Sequence, residues 1–258
     1  MTSSELWTAA DAERYDAEDA AMFSPEVLGP TVDFLADLAG DGRALELAIG
    51  TGRVGVALHR HGVPVTGIEL SEPMAAKVHT KVDPADLPVV IGDMATTRVE
   101  GEFTLVYLVY NTITNLLTQA EQVECFRNAA RHLAAGGRFV VECGIPPLRF
   151  LPPGQVAVPF DVSDDHLGFD TFDLTRQLLT SHHVTRTEDG WRRGESTHRF
   201  VWPAEMDLMA TIAGLELEAR FAGWDRTPLT DDSGSAVSVW RTPSGYVESD
   251  TLMRDGVH

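Results

Sequence analysis

Cysteine is scarce in this chain. Its 258 residues include two, Cys125 and Cys143, which form neither a metal-ligand spacing nor a disulfide framework. Both read as reduced thiols, Cys125 in a helical pattern and Cys143 at a strand end, and a cytoplasmic protein is expected. No metal site is predicted. Long apolar runs are missing as well: nothing approaches the roughly 18 residues of a membrane span. The stretch from Met1 to Trp7 lacks the basic start and apolar run of a secretory leader. Positive charge is the third shortage. Lys and Arg number 20 against 39 Asp and Glu, for a net charge of −19. Nucleic acid and anionic membranes reward clustered Lys and Arg, so neither is an expected partner. The acidity reads first as solubility and second as a bias toward cationic or neutral substrates. There is no fixed-period repeat and no low-complexity tract.

What is present centres on residues 44 to 55. An apolar strand runs from Ala44 to Ala48, a glycine turn follows at Gly50 and Gly52, and a helix opens with Val54, Val56, Ala57 and Leu58. Strand, glycine turn and helix N-terminus in that order form a nucleotide-cofactor site.

The order of elements around it specifies an α/β fold. Helix is predicted over residues 4 to 22, and again after Ser24, Pro25 and Glu26, with Ser24 as cap, up to Gly40. Beyond the first strand and its helix (Arg53 to His61), Val63 to Glu69 is a second strand and Ser71 caps a third helix. Leu87 to Ile91 is a third strand. Phe103 to Tyr110 is a fourth, so apolar that both its faces should be buried. Gln119 to Ala134 is helical and Arg138 to Cys143 is a fifth strand. Prolines then break up residues 145 to 160. Leu178 to Thr187 and Trp191 to Trp202 form a hairpin across Glu188, Asp189 and Gly190. A helix starts at Pro203. Leu215 to Trp224 and Ala236 to Thr242 are two strands joined too briefly for a parallel crossover, so they should pair antiparallel. The expectation is a doubly wound, mostly parallel seven-stranded sheet with an antiparallel last strand. Its parts are an N-terminal helical cap (1–40), the cofactor-binding core (41–144), a β-rich insertion (145–203), the C-terminal part of the sheet (204–243) and a tail (244–258).

Gly50, Gly52 and Gly55 also satisfy Gly-x-Gly-x-x-Gly, and Glu69 ends the next strand. Taken alone, that fits the dinucleotide site of an NAD(P)-dependent oxidoreductase. Several features favour S-adenosylmethionine instead. Glu46 before the turn suits a ligand with an ammonium and a sulfonium, and would repel a pyrophosphate. Asp93 follows the third strand, where a carboxylate can accept from an adenine amino group. Helix precedes the first strand, and the last two strands pair antiparallel.

On these residues the chain resembles the class I, Rossmann-like S-adenosylmethionine-dependent methyltransferases, over roughly residues 10 to 143 and the last two strands. Glu46, Ala48, Gly50 and Gly52 stand where the family carries acid-x-Gly-x-Gly-x-Gly, with Ala48 for the first glycine. The resemblance implies that Glu69 binds the ribose hydroxyls, that Asp93 binds adenine with Met94 against the ring, and that Val109 and Tyr110 face the methyl donor. Leu70 and Met74 belong to the same implied cofactor set. Leu133 to Phe139 resembles the family's Leu-x-Pro-Gly-Gly turn, with Ala135 for the proline. Tyr15 and the insertion are most similar to small-molecule enzymes such as amino-sugar N-methyltransferases, with Tyr15 closing over the donor. Arg53 could pair with the donor's carboxylate or with Glu46. A fold retained as a non-catalytic binding module is the other alternative.

The expected acceptor is a small molecule, with nitrogen favoured over oxygen or carbon. Tyr110, Asn111, Asn115 and Trp202 are candidates for its pocket, with Thr112 and Thr114 beside them. If a base is needed, the candidate is one of His182 and His183, which point to opposite faces as strand neighbours. His166 and His198 rank below them. A homodimer is left open.

Overall fold

The computed structural model describes residues 12, 13, 15, 16, 20–188 and 190–243. The tail expected over 244–258 lies outside them, as does much of the helix expected over 4–22. Helix α1 (Pro25–Ala39) starts where Pro25 sets the first turn, and it buries Leu28, Val32, Phe34 and Leu35. Ser24 stands at the cap position with extended backbone, but its side chain makes no capping bond there. The rigid φ of Pro25 is the start signal that remains.

The core alternates strands and helices: β1 (Ala44–Leu47), α2 (Arg53–Arg60), β2 (Val65–Glu69), α3 (Glu72–His79), β3 (Val89–Ile91), β4 (Phe103–Leu108), α4 (Gln119–His132) and β5 (Leu133–Gly144). Every residue of β1 and β2 is buried, as strands covered on both faces require. Ser71 caps α3 by accepting from the Met74 amide. Thr118 and Glu121 form a full capping box on α4. After the insertion come α5 (Pro203–Ile212), β10 (Glu216–Phe221) and β11 (Ser235–Arg241).

The seven strands lie in the order β10-β11-β5-β4-β1-β2-β3. β1 is parallel to β2 and β4, and β5 is parallel to β4. β11 runs antiparallel to both β5 and β10, as the short link between the last strands demands. One apolar layer joins Phe126, Phe139 and Trp240 with α4 and α5. The other joins Leu35, Leu58 and Tyr107 with α1 and α2. This topology puts the carboxyl ends of β1, β2, β3 and β4 along one edge, where such sheets bind ligands.

The insertion is richer in strand than the hairpin expected from sequence. β6 (Ala157–Val162), β7 (His166–Asp173), β8 (Leu178–Thr187) and β9 (Gly190–Arg199) form a separate antiparallel sheet in that order. Pro159 hides β6, because a proline argues against an interior strand. Here it sits on the edge strand, at a register irregularity between Pro159 and Asp161. A buried polar knot roots this sheet in the core. Arg199, at the end of β9, donates to Gln122 of α4 at 2.5 Å, to Gln177 at 2.9 Å and to Glu205 of α5 at 2.7 Å.

Candidate active site

The glycine turn bends sharply after β1. Gly52, the residue before α2, has φ +84°, and a Cβ there would lie 2.8 Å from the Val56 side chain. Gly50 is left-handed too, and so is Ala48, at φ +53°. Few side-chain-bearing residues adopt that conformation. Ala48 stands at the position of the family's first glycine and carries the backbone geometry a glycine would supply.

Glu69 ties this turn to the end of β2. It is 6% exposed. One carboxylate oxygen accepts from the Gly50 amide at 2.8 Å, the other from the Ser71 amide at 2.8 Å. Burial raises its pKa, and those two amide bonds work against the rise. A cavity opens beside it, bounded by Tyr15, Ala48, Gly50, Leu70 and Met74 on one side. Gly92, Asp93 and Met94 bound it on another. Asp93 accepts from the Ala95 amide at 2.6 Å. Asn128 of α4 holds the same loop by donating to the Met94 and Thr97 carbonyls, both at 2.9 Å. The N-terminal segment is strapped to the glycine turn. Thr51 donates to Asp16 at 2.6 Å, and Lys81 bridges Asp16 and the Thr51 carbonyl. Tyr15 is thereby held over the cavity.

Glu46 is placed differently from the expectation of direct ligand contact. It is 2% exposed and lies beneath the turn, away from the cavity lining. Tyr107 of β4 donates to it at 3.0 Å. Burial pushes its carboxyl from 4.5 up to about 8, with Tyr107, Arg53 and the Gly55 amide pulling the other way. Gly55 is required here: a Cβ would clash with the Glu46 carboxylate and lie 2.8 Å from Ile49. The third glycine of the motif thus makes room for Glu46. Arg53, at the start of α2, lies over the Tyr110 ring, 4.9 Å from its centroid. Gly52, Arg53 and Val109 likewise fall outside the residues lining the cavity.

The chain leaves β4 under strain. Tyr110 and Asn111 are consecutive left-handed residues, at φ +58° and +59°. A single 3-10 turn, Thr112–Asn115, follows. Thr112, Asn115 and Leu116 face the cavity described above. Asn111 and Thr114 face a second cavity of about 280 Å³. The far wall of this second cavity is the insertion sheet, through Asp170, Ser181, His198 and Phe200. His198 spans the partition. Its Nδ1 lies 3.1 Å from the Asn115 amide oxygen and its Nε2 lies 2.9 Å from the Ser196 hydroxyl. Burial lowers its pKa, opposed by the charge of Asp170.

His182 and His183 do point to opposite faces of β8, but neither lines either cavity. His182 stacks on Phe169 and bonds Thr171 at 3.0 Å. His183 stacks on His166, 3.0 Å from ring nitrogen to ring nitrogen. Both sit at mid-strand, four and five residues from Leu178, which pairs with Arg199 at the root. The histidine brought to the cavities is His198, ranked low on sequence. Trp202 also lies outside both linings. It occupies the position before α5 and starts that helix through its carbonyl, and Phe200 is the aromatic that reaches the second cavity. Thr112 lies beside the acceptor candidates in sequence, whereas Leu116, which also lines the first cavity, carries no signal beyond that of an ordinary apolar loop residue. Cys125 and Cys143 are buried free thiols; burial pushes Cys143 up to about 12. Among the described residues no helix is long and apolar enough to cross a membrane, and no cluster of His, Cys, Asp and Glu could hold a metal.

Comparison with known proteins agrees with this geometry. A methyltransferase-domain family matches residues 44–137, from β1 into the glycines of β5. The CcbJ methyltransferase from Streptomyces caelestis is 36% identical, with a TM-score of 0.75, over 83% of this chain and 88% of that one. The cypemycin N-terminal methyltransferase of a Streptomyces species is 28% identical over 204 residues, 77% of this chain and 83% of that protein. The fold is also that of CalS10, an amino pentose methyltransferase from Micromonospora echinaspora. Its TM-score is 0.68 at 21% identity, covering 88% of this chain and 96% of that one. With the acids at the ends of β2 and β3, the left-handed turn after β1 and the antiparallel β11, the chain belongs to the class I S-adenosylmethionine-dependent methyltransferases.

Proposed function

We propose that the first cavity binds S-adenosylmethionine, that the second binds a small-molecule acceptor, and that the methyl group passes between them to nitrogen. The observation that carries this reading is the pair of cavities on two sides of one 3-10 turn, Thr112–Asn115.

The residues of the first cavity fit such a donor. Glu69, anchored by two amides, is the ribose acid. Asp93 is the adenine-side acid, and Met94 lies under the ring. Ala48 and Gly50 let the backbone approach the amino-acid tail, with Gly52 turning the chain into α2 behind them, Leu70 and Met74 supply apolar contact, and Tyr15 closes the top. Glu46 shapes the turn from below. Arg53 at the start of α2 and Tyr110 just past β4 form a cation–π pair at the border of the site, and Val109 leads the chain from β4 to it. Once bound, the donor presents an electrophilic methyl on a sulfonium. The chain's own work is alignment of the acceptor and exclusion of water.

Nitrogen is favoured because two of the relatives are named for an N-terminus and an amino pentose. Should the nitrogen arrive protonated, His198 is the group placed to take the proton at Nε2, once the Ser196 hydroxyl that donates to it turns aside. The Asn115 oxygen can only accept, so Nδ1 carries the ring hydrogen and Nε2 holds the lone pair. A depressed pKa keeps it neutral at pH 7.

Isothermal titration with S-adenosylhomocysteine tests the donor site. The wild-type protein should bind it, and Asp93→Ala should bind at least about tenfold more weakly, the scale of a lost charge-assisted hydrogen bond. Absence of binding to the wild type would overturn the donor assignment. An unchanged constant in the mutant would remove Asp93 from the site.

A further inference from the structure

We propose that Asp170, held by Ser181, recognises a positively charged acceptor, an alkyl or sugar ammonium, in the second cavity. This rests on the acceptor role given to that cavity above.

The sheet register builds the site. Asp170 of β7 lies opposite Ser181 of β8, and Ser181 lies opposite Ser196 of β9. Directly opposed residues project from the same face, so the three form a polar row across the sheet. In the next row toward the root, Leu179 is paired with His198. Asp170, Ser181, Leu179 and His198 all reach the second cavity, and Asp170 is the one side chain of formal charge on its wall among the described residues. The Ser181 hydroxyl donates to one Asp170 oxygen at 2.7 Å, which fixes the carboxylate and leaves its second oxygen for a ligand. No Lys or Arg among the described residues forms an ion pair with Asp170. Its charge acts on His183 and His198, but burial lowers the pKa of both; a carboxylate with no permanent cation beside it, facing a cavity of about 280 Å³, is half a recognition pair, and the missing half is a cation.

The neutral groups around it agree. Asn111 is committed elsewhere, since its oxygen accepts from the Gly144 amide at 3.0 Å and from the Cys143 thiol. Thr114 donates to the Asn111 carbonyl at 2.7 Å. Neither offers a charge that would select an anion. His198, uncharged, does not compete for the carboxylate, and its Nε2 lone pair is engaged by the Ser196 hydroxyl at 2.9 Å. The opposite wall contributes Ile145, Pro146 and Pro147, an apolar surface suited to a carbon ring or chain.

The probe pair is cyclohexylammonium against cyclohexanol, which match in size and differ in charge. Each is titrated into the full chain saturated with S-adenosylhomocysteine. Wild type should bind cyclohexylammonium at least about tenfold tighter than cyclohexanol, as expected for a partly desolvated charge-assisted bond. Asp170→Asn, nearly isosteric, should erase that preference while leaving S-adenosylhomocysteine affinity unchanged. The net charge of −19 attracts every cation weakly, but removing one charge of many would leave that general attraction nearly intact. A preference that survives Asp170→Asn therefore overturns the proposal, as does equal binding of the two probes by wild type. If Asp170→Asn fails to fold, Ser181→Ala replaces it and should reduce the preference severalfold; an unchanged preference overturns the proposal. If S-adenosylhomocysteine itself does not bind, the donor reading has failed. If it binds and the probes do not differ, only this inference has failed.

Discussion

Consider Glu46→Gln under denaturation at several pH values. In the folded chain Glu46 keeps its proton up to about pH 8, whereas an unperturbed glutamate releases it near 4.5. Folded and unfolded states bind the same number of protons below 4.5. Between 4.5 and about 8 the folded state binds one more, so stability falls as pH rises through that window and levels off above it. Each unit costs about 1.4 kcal/mol, and the window as a whole about 5 kcal/mol. Glutamine keeps the shape and never ionises, so it escapes this loss. Its amide oxygen can still accept from Tyr107, but its NH2 brings two N–H donors where the neutral acid has one O–H, at about 1–3 kcal/mol for a poorly satisfied donor. The mutant should therefore be somewhat less stable than wild type at pH 4.5 and more stable at pH 8, with the difference changing sign in between. At about 2–4 °C per kcal/mol for a chain of this size, the relative melting temperature should climb by about 10–20 °C across the window. Thermal unfolding followed by far-UV circular dichroism measures it. A stability difference that does not vary with pH would show that Glu46 is not held neutral by burial.

Two further perturbations separate the insertion's roles. His198→Ala should lose most turnover, measured as S-adenosylhomocysteine formation with an accepted amine, while His182→Ala and His183→Ala should stay near wild type. The reverse ranking would restore the β8 histidines and remove His198. Glu205→Gln attacks the root of the sheet, where the Arg199 and Glu205 side chains are 5% and 14% exposed. It should cost about 3–5 kcal/mol by stranding the guanidinium, with faster amide exchange in β9. Burial opposes ionisation of Glu205, but the bonds from Arg199, Gln177 and Gln119 outweigh it and hold its carboxyl below the usual 4.5. The pair's contribution is present above that pH and fades as pH falls below it. A wild-type melting curve for the mutant at pH 7 would contradict this.

Much of the core was legible because its signals are local. The apolar alternation of strands and helices, the glycine turn and the acids at the ends of β2 and β3 lie within short windows. The short link before β11 is enough to require an antiparallel pair. The insertion was harder. Pro159 and the acidic stretch after it mask β6 and β7, whose stability comes from cross-strand pairing. Adjacency correctly put His182 and His183 on opposite faces of β8, but it could not say how far along the strand the cavity lies. One signal was available. The β8–β9 pairing closes at Thr187 and Gly190, and that register pairs His198 with Leu179, one step from the root, and His183 with Gly194, five steps from it. Distance from the root ranks His198 first. Trp202 misled through its chemistry: an aromatic beside a pocket-forming strand is a natural pocket residue, yet here it only starts α5.

The partition between the cavities shows why other parts of the site resist a local reading. Tyr110 in the left-handed region costs about 1–2 kcal/mol, and the bonds local to residues 109 to 115 hold the 3-10 turn and not the Tyr110 amide. The compensation comes from β5. One oxygen of the Glu142 carboxylate accepts from the Tyr110 amide at 2.8 Å, and the Glu142 carbonyl accepts from the Asn111 amide at 3.2 Å. The other carboxylate oxygen accepts from the indole of Trp224 at 3.1 Å, and Trp224 in turn meets Phe34 of α1 edge-on at 5.4 Å. Asn111 completes the tie by accepting from the Gly144 amide. Strained backbone persists only where its surroundings over-determine it, and here residues 34, 142 and 224 do so from three separate stretches of chain. The 3-10 turn is consequently a rigid wall: Asn115 can present its amide oxygen to His198 at a fixed distance, and Thr112 and Thr114 cannot exchange sides. A methyl transfer that depends on alignment needs such a wall between its two reactants, and the chain builds it from residues that no single window of sequence contains.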